Sequence, residues 1–224
     1  MKTLLYFLIT CVSFHLCNAQ IGDTRADNDI VFNDLTTKYF KDKRYANVEG
    51  NPFLLDDWSP GKLVMKSSIK YEGLKVRMDL LKQEVVVLES SNKEMVAPIA
   101  FIRQLELTNG ENKLIFRTGY PKIEKKTVNT LYGVLIEGKV SLLKFSQKDI
   151  VQKDEFDKRK SFILYEDYYV FFNETITLVR NKNTFLKLFP DQSGKIDTYI
   201  SDNKIKTRDE KDLISLVTFL NSSL

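Results

Sequence analysis

The chain has 224 residues, with 34 Lys and Arg against 30 Asp and Glu, a single His, and 43% hydrophobic residues. Nine Gly and five Pro exclude collagen-like and low-complexity chains, and the apolar fraction excludes a wholly disordered one. A formal charge of +4 is too small to mark a nucleic-acid binder, so no nucleic acid is expected among the partners.

In chain order, the first element is Lys2, the apolar run Leu4-Leu5-Tyr6-Phe7-Leu8-Ile9, and a close in Asn18-Ala19. A charged start, a short apolar run and a small residue before the cut predict a secretory signal peptide over 1–19, cleaved after Ala19. The run falls short of the roughly 20 apolar residues that span a bilayer, and no later stretch approaches that length. The expectation is an exported protein, periplasmic or extracellular, with no transmembrane segment after cleavage. Cys17 as a lipid acceptor would want a small residue before it, and Leu16 stands there.

Cys11, Cys17 and His15 all lie inside this segment, so the mature chain carries no thiol and no imidazole. Ser-His-Asp and Cys-His sites need an imidazole base, and ordinary zinc sites need Cys or His ligands, so those classes are excluded. The Ser/Lys alternative has one trail: Ser67-Ser68-Ile69-Lys70, Arg117-Thr118-Gly119 and Ser201-Asp202-Asn203 echo the penicillin-binding set. Their order is reversed, and S-x-x-K recurs at Ser90 and Ser141 in this Lys-rich chain, so the matches read as chance. With no G-x-G-x-x-G and no phosphate-loop pattern, the expected cofactor is none.

Residues 20–44 read as a polar N-terminal arm with one mixed stretch, Ile30-Val31-Phe32, and the charge run Lys41-Asp42-Lys43-Arg44. From 45 to 181 the pattern is two-residue alternation, clearest in Lys75-Val76-Arg77-Met78-Asp79-Leu80. Further strands are expected at 61–67, 84–90, 101–107, 112–118, 130–137, 139–146, 161–166, 168–173 and 175–180. Short gaps such as Asn109-Gly110, Glu137-Gly138 and Asn173-Glu174 predict hairpins and hence antiparallel pairing. The best internal linker is 119–129.

Near residue 182 the period turns helical. Phe185, Leu188 and Phe189 fit one helix; Ile196, Tyr199 and Ile200 fit a second, with Asp191 as its N-cap. Thr207-Arg208-Asp209-Glu210 reads as a capping box before the apolar stripe Leu213, Ile214, Val217 and Leu220. The expected fold is therefore α+β: a mainly antiparallel β body of about 9–10 strands, then a C-terminal unit of two or three helices over 182–224.

Residues 45–61, Tyr45-Ala46-Asn47-Val48-Glu49-Gly50-Asn51-Pro52-Phe53-Leu54-Leu55-Asp56-Asp57-Trp58-Ser59-Pro60-Gly61, hold the most distinctive segment. It resembles uncharacterised exported proteins of Bacteroidota that carry a V-x-G-x-P-[FY]-L-x-D-D-W-x-x-G segment near the mature N-terminus. Gly119-Tyr120-Pro121 and Phe189-Pro190-Asp191 look similar too. The resemblance implies a location and brings no activity with it.

Asp56, Asp57 and Trp58 are the candidate binding residues. Adjacent carboxylates could share a cation or acid and base duties, but neighbours on an extended chain point to opposite faces. The expected role is structural: Phe53, Leu54 and Trp58 plug the sheet while the aspartates cap amides before Pro60. Tyr168-Tyr169-Val170-Phe171-Phe172 reads as a strand buried on both faces rather than a sugar platform. The leading functional expectation is a non-enzymatic binding or envelope-interaction module acting through a surface of its sheet, with an envelope protein or a glycan as partner. The alternatives are a carboxylate-based enzyme such as a glycoside hydrolase, marked by two facing carboxylates in a cleft, and a carrier of an apolar ligand, marked by an apolar cavity under the sheet.

Overall fold

A computed structural model describes residues 45, 47–89, 91–152 and 158–224. The expected signal peptide, with Cys11, His15 and Cys17, and the arm over 20–44 lie outside the described residues.

The strands are β1 (Val48–Glu49), β2 (Ser59–Met65), β3 (Lys70–Asp79), β4 (Glu84–Leu88), β5 (Glu94–Ala97), β6 (Ile102–Asn109), β7 (Asn112–Arg117), β8 (Tyr132–Ile136), β9 (Ser141–Gln152), β10 (Lys160–Phe172) and β11 (Thr175–Leu178). They form one sheet in the order β1-β10-β9-β8-β7-β6-β2-β3-β4-β5, with β11 also paired to β10. The pairing is antiparallel throughout except for β1, which lies parallel to β10. The α+β expectation of a β-rich body and a helical tail therefore holds. Two expected strands, 161–166 and 168–173, are one continuous β10, because Asp167 is only an exposed outward residue within it. β5 was not expected: Met95-Val96 is a short apolar pair, and its pairing with Val86 and Val87 carries the strand.

The hairpin turns follow from local chemistry. Gly110, between β6 and β7, sits at φ +61, a conformation that only Gly adopts without steric cost. Asn173 and Glu174, between β10 and β11, both have positive φ, as a two-residue turn matching the twist of the strands requires. Gly61 in β2 is held by closeness instead: a Cβ there would lie 2.8 Å from Val76 Cγ2 and 3.1 Å from the Glu106 carbonyl oxygen. Backbone cannot yield as a flexible side chain does, so Gly61→Ala is expected to cost about 1–3 kcal/mol. Denaturant titration checks this, and an unchanged midpoint would show that the β2–β3 packing is looser than described.

The sheet curls. Beyond its pairing with β8, the edge of β9 is taken over by the β3–β4 turn: the Lys148 amide donates to the Leu80 carbonyl at 3.1 Å, and Gln83 Nε2 donates to the Ser146 carbonyl at 3.1 Å. One row of directly opposed residues crosses the sheet as Leu63, Leu105, Phe116, Gly133, Lys144 and Tyr168, so all six share a face. At the β2–β7 end of that face lies a core of Leu63, Val76, Met78, Leu80, Val85 and Leu105, all buried. At the β9–β10 end, Leu142 and Val170 pack under the helices. The opposite face of β8–β11 carries Tyr132, Leu143, Phe145 and Tyr169, against which Tyr120 and Ile123 of the 119–129 segment pack.

The helices are α1 (Lys182–Leu188), α2 (Ser193–Asp202) and α3 (Glu210–Ser223). Their buried stripe, Phe185, Ile196, Leu213, Leu216, Val217 and Leu220, is what docks them on the sheet. Two expected caps are corrected. Asp191 falls inside a 3₁₀ turn, Pro190–Gln192, because Pro190 starts a helical turn early, and α2 begins at Ser193 without a side-chain cap. The capping-box reading of Thr207 and Glu210 gives way to Asp209, whose carboxylate accepts from the Lys211 and Asp212 amides. Asn221 fastens α3 to the sheet: its Oδ1 accepts from the Val140 amide at 2.8 Å and its Nδ2 donates to the Val140 carbonyl at 2.8 Å, as a neighbouring strand would.

Candidate functional site

The segment that carries Asp56, Asp57 and Trp58 runs from β1 to β2 across one end of the curl. Leu54 donates its amide to the Met78 carbonyl at 2.9 Å, and the Leu80 amide donates to the Pro52 carbonyl at 2.8 Å, so 52–54 lies along β3. Lys148 reaches over from β9 and donates to the carbonyls of Asn51 and Phe53 at 3.0 and 2.6 Å. Burial draws the Lys148 pKa below the ordinary lysine value, against the opposing charges of Asp56 and Asp79.

Trp58 is half-buried and covers Arg77. The guanidinium carbon lies 4.6 Å from the Trp58 ring centroid and 4.9 Å from that of Phe53, so the cation lies over both aromatic rings. Asp56 and Asp57 are exposed. The expected capping role is corrected for Asp56, which accepts from the Asn51 side chain at 2.7 Å instead of from a main-chain amide; the caps here are Asn51, which accepts from the Phe53 amide, and Asp79, which accepts from the Leu81 and Lys82 amides. The reason is reach: Asn51 and Asp79 stand two or three residues before the amides they serve, the spacing that closes such turns. The structure thus gives Phe53 and Trp58 a joint task on Arg77 and leaves the carboxylate pair at the surface.

Two facing carboxylates do occur, at positions that sequence reading missed. On the row that crosses the sheet from Leu63 to Tyr168, Lys144 Nζ lies 2.6 Å from Glu210 Oε2 and 3.2 Å from Glu166 Oε1. The Tyr168 hydroxyl lies 3.3 Å from Glu210 and 3.4 Å from Glu166, and Ser146 Oγ donates to Glu166 at 3.2 Å. Burial opposes the charge on Lys144, but the hydrogen bond and charge of Glu210, with those of Glu166, outweigh it and hold its pKa above the ordinary value. A glycosidase pair places a scissile bond between carboxylates about 5–5.5 Å or more apart. Here the ammonium occupies that space. Lys144, Ser146, Glu166 and Tyr168 announce themselves in sequence only as alternating polar positions, and Glu210 stands 66 residues from Lys144, so only the register and the docking of α3 reveal the cluster.

The third feature is an opening in the sheet edge. On the side away from β9, β10 is flanked by β1 at Lys160 and Ser161 and by β11 at Tyr169–Phe172, with the Val179 amide donating to the Tyr168 carbonyl. Between them, among the described residues, no strand pairs with residues 163–167, and all of these are exposed, Leu164 and Tyr165 at 46%. Main-chain groups alternate in direction along a strand. Tyr168 points its carbonyl to this edge; Leu164 and Glu166 stand opposite Lys148 and Ser146, whose main-chain groups point away from β10 toward the β3–β4 turn. Leu164 and Glu166 therefore turn both N–H and C=O outward into the opening, while Ile163, Tyr165 and Asp167 turn theirs to β9. An apolar run such as Phe162-Ile163-Leu164-Tyr165 reads in sequence as core, and nothing local marks it as surface.

A groove of about 450 Å³ also opens between α2 and α3, lined by Lys195, Thr198, Tyr199, Asp202, Phe219 and Ser223. Tyr199 and Phe219 stack on each other there at 4.1 Å, and the groove lies on the helices rather than under the sheet. No helix among the described residues is long and apolar enough to cross a membrane. The chain matches no family model, no curated protein and no solved structure.

Proposed function

We propose that the protein is an exported, non-enzymatic binding module that acts through the open edge of β10. The observation that carries this reading is the opening itself: exposed apolar side chains on a strand that continues a folded sheet, with main-chain groups turned outward. Edge strands left open in this way invite another chain to pair, and soluble proteins usually cover or charge them. Against the hydrolase alternative stands Lys144, which fills the space between Glu166 and Glu210. Export rests on the first nineteen residues, and mass spectrometry of the mature protein is expected to show Gln20 at its start.

The test places a photo-reactive residue at Tyr165 and, separately, at Thr218 on the exposed side of α3, in the source cells. A discrete cross-linked product is expected from position 165 and not from 218. In parallel, purified protein is offered a panel of glycans and peptidoglycan fragments. Turnover abolished by Glu166→Gln or Glu210→Gln would overturn the reading in favour of a carboxylate enzyme.

A further inference from the structure

We infer that the opening at residues 163–167 seats a single extended polypeptide segment, apolar at its centre and with a lysine or arginine beside Glu166, which joins the sheet as an added strand. This rests on the binding-module reading and names its partner.

The main chain argues for a strand. Leu164 and Glu166 offer N–H and C=O in the alternating pattern that a neighbouring strand satisfies, and β1 and β11 already use the same edge on either side. The flanks argue for a short one. The opening is closed at one end by β1 and Gly50, where an added Cβ would lie 3.9 Å from the Phe162 ring, and at the other by Val179 on Tyr168. A second copy of this chain does not fit edge to edge, because its β10 would bring its own β1 and β11 against these flanks.

Side chains set the chemistry. Ile163 and Tyr165 share one face, opposite Asp149 and Gln147; Leu164 and Glu166 share the other. An added strand therefore meets an apolar residue on each face at the Ile163–Leu164 end and a carboxylate on each face at the Glu166–Asp167 end. On the Asp167 face Lys126, over the Phe145 ring, already offsets Asp167. On the Glu166 face Lys148, further along β9, is turned to the carbonyls of Asn51 and Phe53. The charges in contact there are two carboxylates, Glu166 and Glu210, against the one ammonium of Lys144, which leaves one negative charge to be met. A cationic guest residue supplies it.

The test uses the mature full-length protein and a fluorescent, end-capped peptide, Lys-Val-Val-Val-Lys, followed by fluorescence anisotropy. Saturable binding is expected. Replacing both lysines by glutamate is expected to weaken it about tenfold or more, and N-methylating alternate amides along one edge of the peptide is expected to do the same. On the protein, Leu164→Pro removes an outward N–H while sparing the ladder to β9, a position where an edge strand tolerates proline. It is expected to lose the peptide with its circular dichroism kept. Because N-methylation alters only the probe, the test stands even if that variant misfolds.

Binding indifferent to N-methylation overturns the inference, as does equal binding of the glutamate peptide. So does a dimer of the wild-type chain that Leu164→Pro dissolves, which would make a second copy the occupant. If the full chain binds nothing but a chain lacking residues 20–44 binds the peptide, the opening belongs to the protein's own arm and the inference falls. A specific cross-link at Tyr165 without peptide binding sinks this inference alone; absence of both sinks the wider reading as well.

Discussion

Trp58→Ala is expected to lower the melting temperature by about 5–10 °C, from a loss of about 2–3 kcal/mol in a domain of this size. The indole does more than bury itself. It lies over the Arg77 guanidinium, as the Phe53 ring does. Arg77 Nε is buried and has no hydrogen-bond partner, so its stabilisation comes from the two rings. Removing one ring opens the cation to water and leaves Phe53 alone over it, a loss of cation–π attraction of about 0.5–2 kcal/mol on top of the lost apolar area. Trp58→Phe, which keeps a ring face over Arg77, is expected to recover most of the loss. Equal destabilisation by Ala and Phe would show that indole packing alone matters. No loss with either would return Trp58 to the surface as a recognition residue.

Raising the pH is expected to destabilise the fold steeply above about pH 10. Burial pushes the Tyr132 hydroxyl up to about 12, and it raises Tyr168 and Tyr169 as well, helped at Tyr168 by the charges of Glu166 and Glu210 and at Tyr169 by Asp167. Lys144 is raised with them. A group whose folded pKa exceeds its unfolded value gives stability that is whole below the unfolded value, about 10 for tyrosine, and that is lost as pH climbs toward the folded one. For Tyr132 alone the loss approaches about 2–3 kcal/mol by pH 12. Thermal melts from pH 7 to 11.5 measure the slope. Tyr132→Phe tests its origin: the hydroxyl is buried without a hydrogen-bond partner, so its removal is expected to leave stability at pH 7 equal or higher and to flatten the alkaline slope. A slope unchanged in that variant would place the alkaline weakness elsewhere.

Much of the architecture is legible in the amino-acid sequence, because its signals are local. Alternation in Lys75–Leu80 sets which face of β3 is buried, Asn109-Gly110 closes a hairpin, and the spacing of Leu213, Val217 and Leu220 makes a helix stripe. The misses are where a second element decides. Asp209 displaced Thr207 as cap because the helix starts where its docking on the sheet allows. Asp56 and Asp57 share a backbone neighbourhood without sharing a target, and their surroundings are set by Asn51 and Lys148. Glu166, Glu210 and Lys144 meet only through strand register and the placing of α3. The run at Ile163–Tyr165 reads as core in sequence and is exposed because, among the described residues, β10 is longer than the strands that flank its edge.

The clasp between Asn221 and Val140 joins positions 81 residues apart, and the apolar cover of Leu142 and Val170 comes from residues 185–220, after every strand has been made. While the chain is being synthesised, β9 and β10 thus wait with one face uncovered until the last helix emerges. Such long-range closure slows folding, since the entropy of a large loop must be met before its contacts form. A nascent chain with this wiring stays open for longer than one built from local contacts, and it reaches its rigid state only after the α3 sequence has been made.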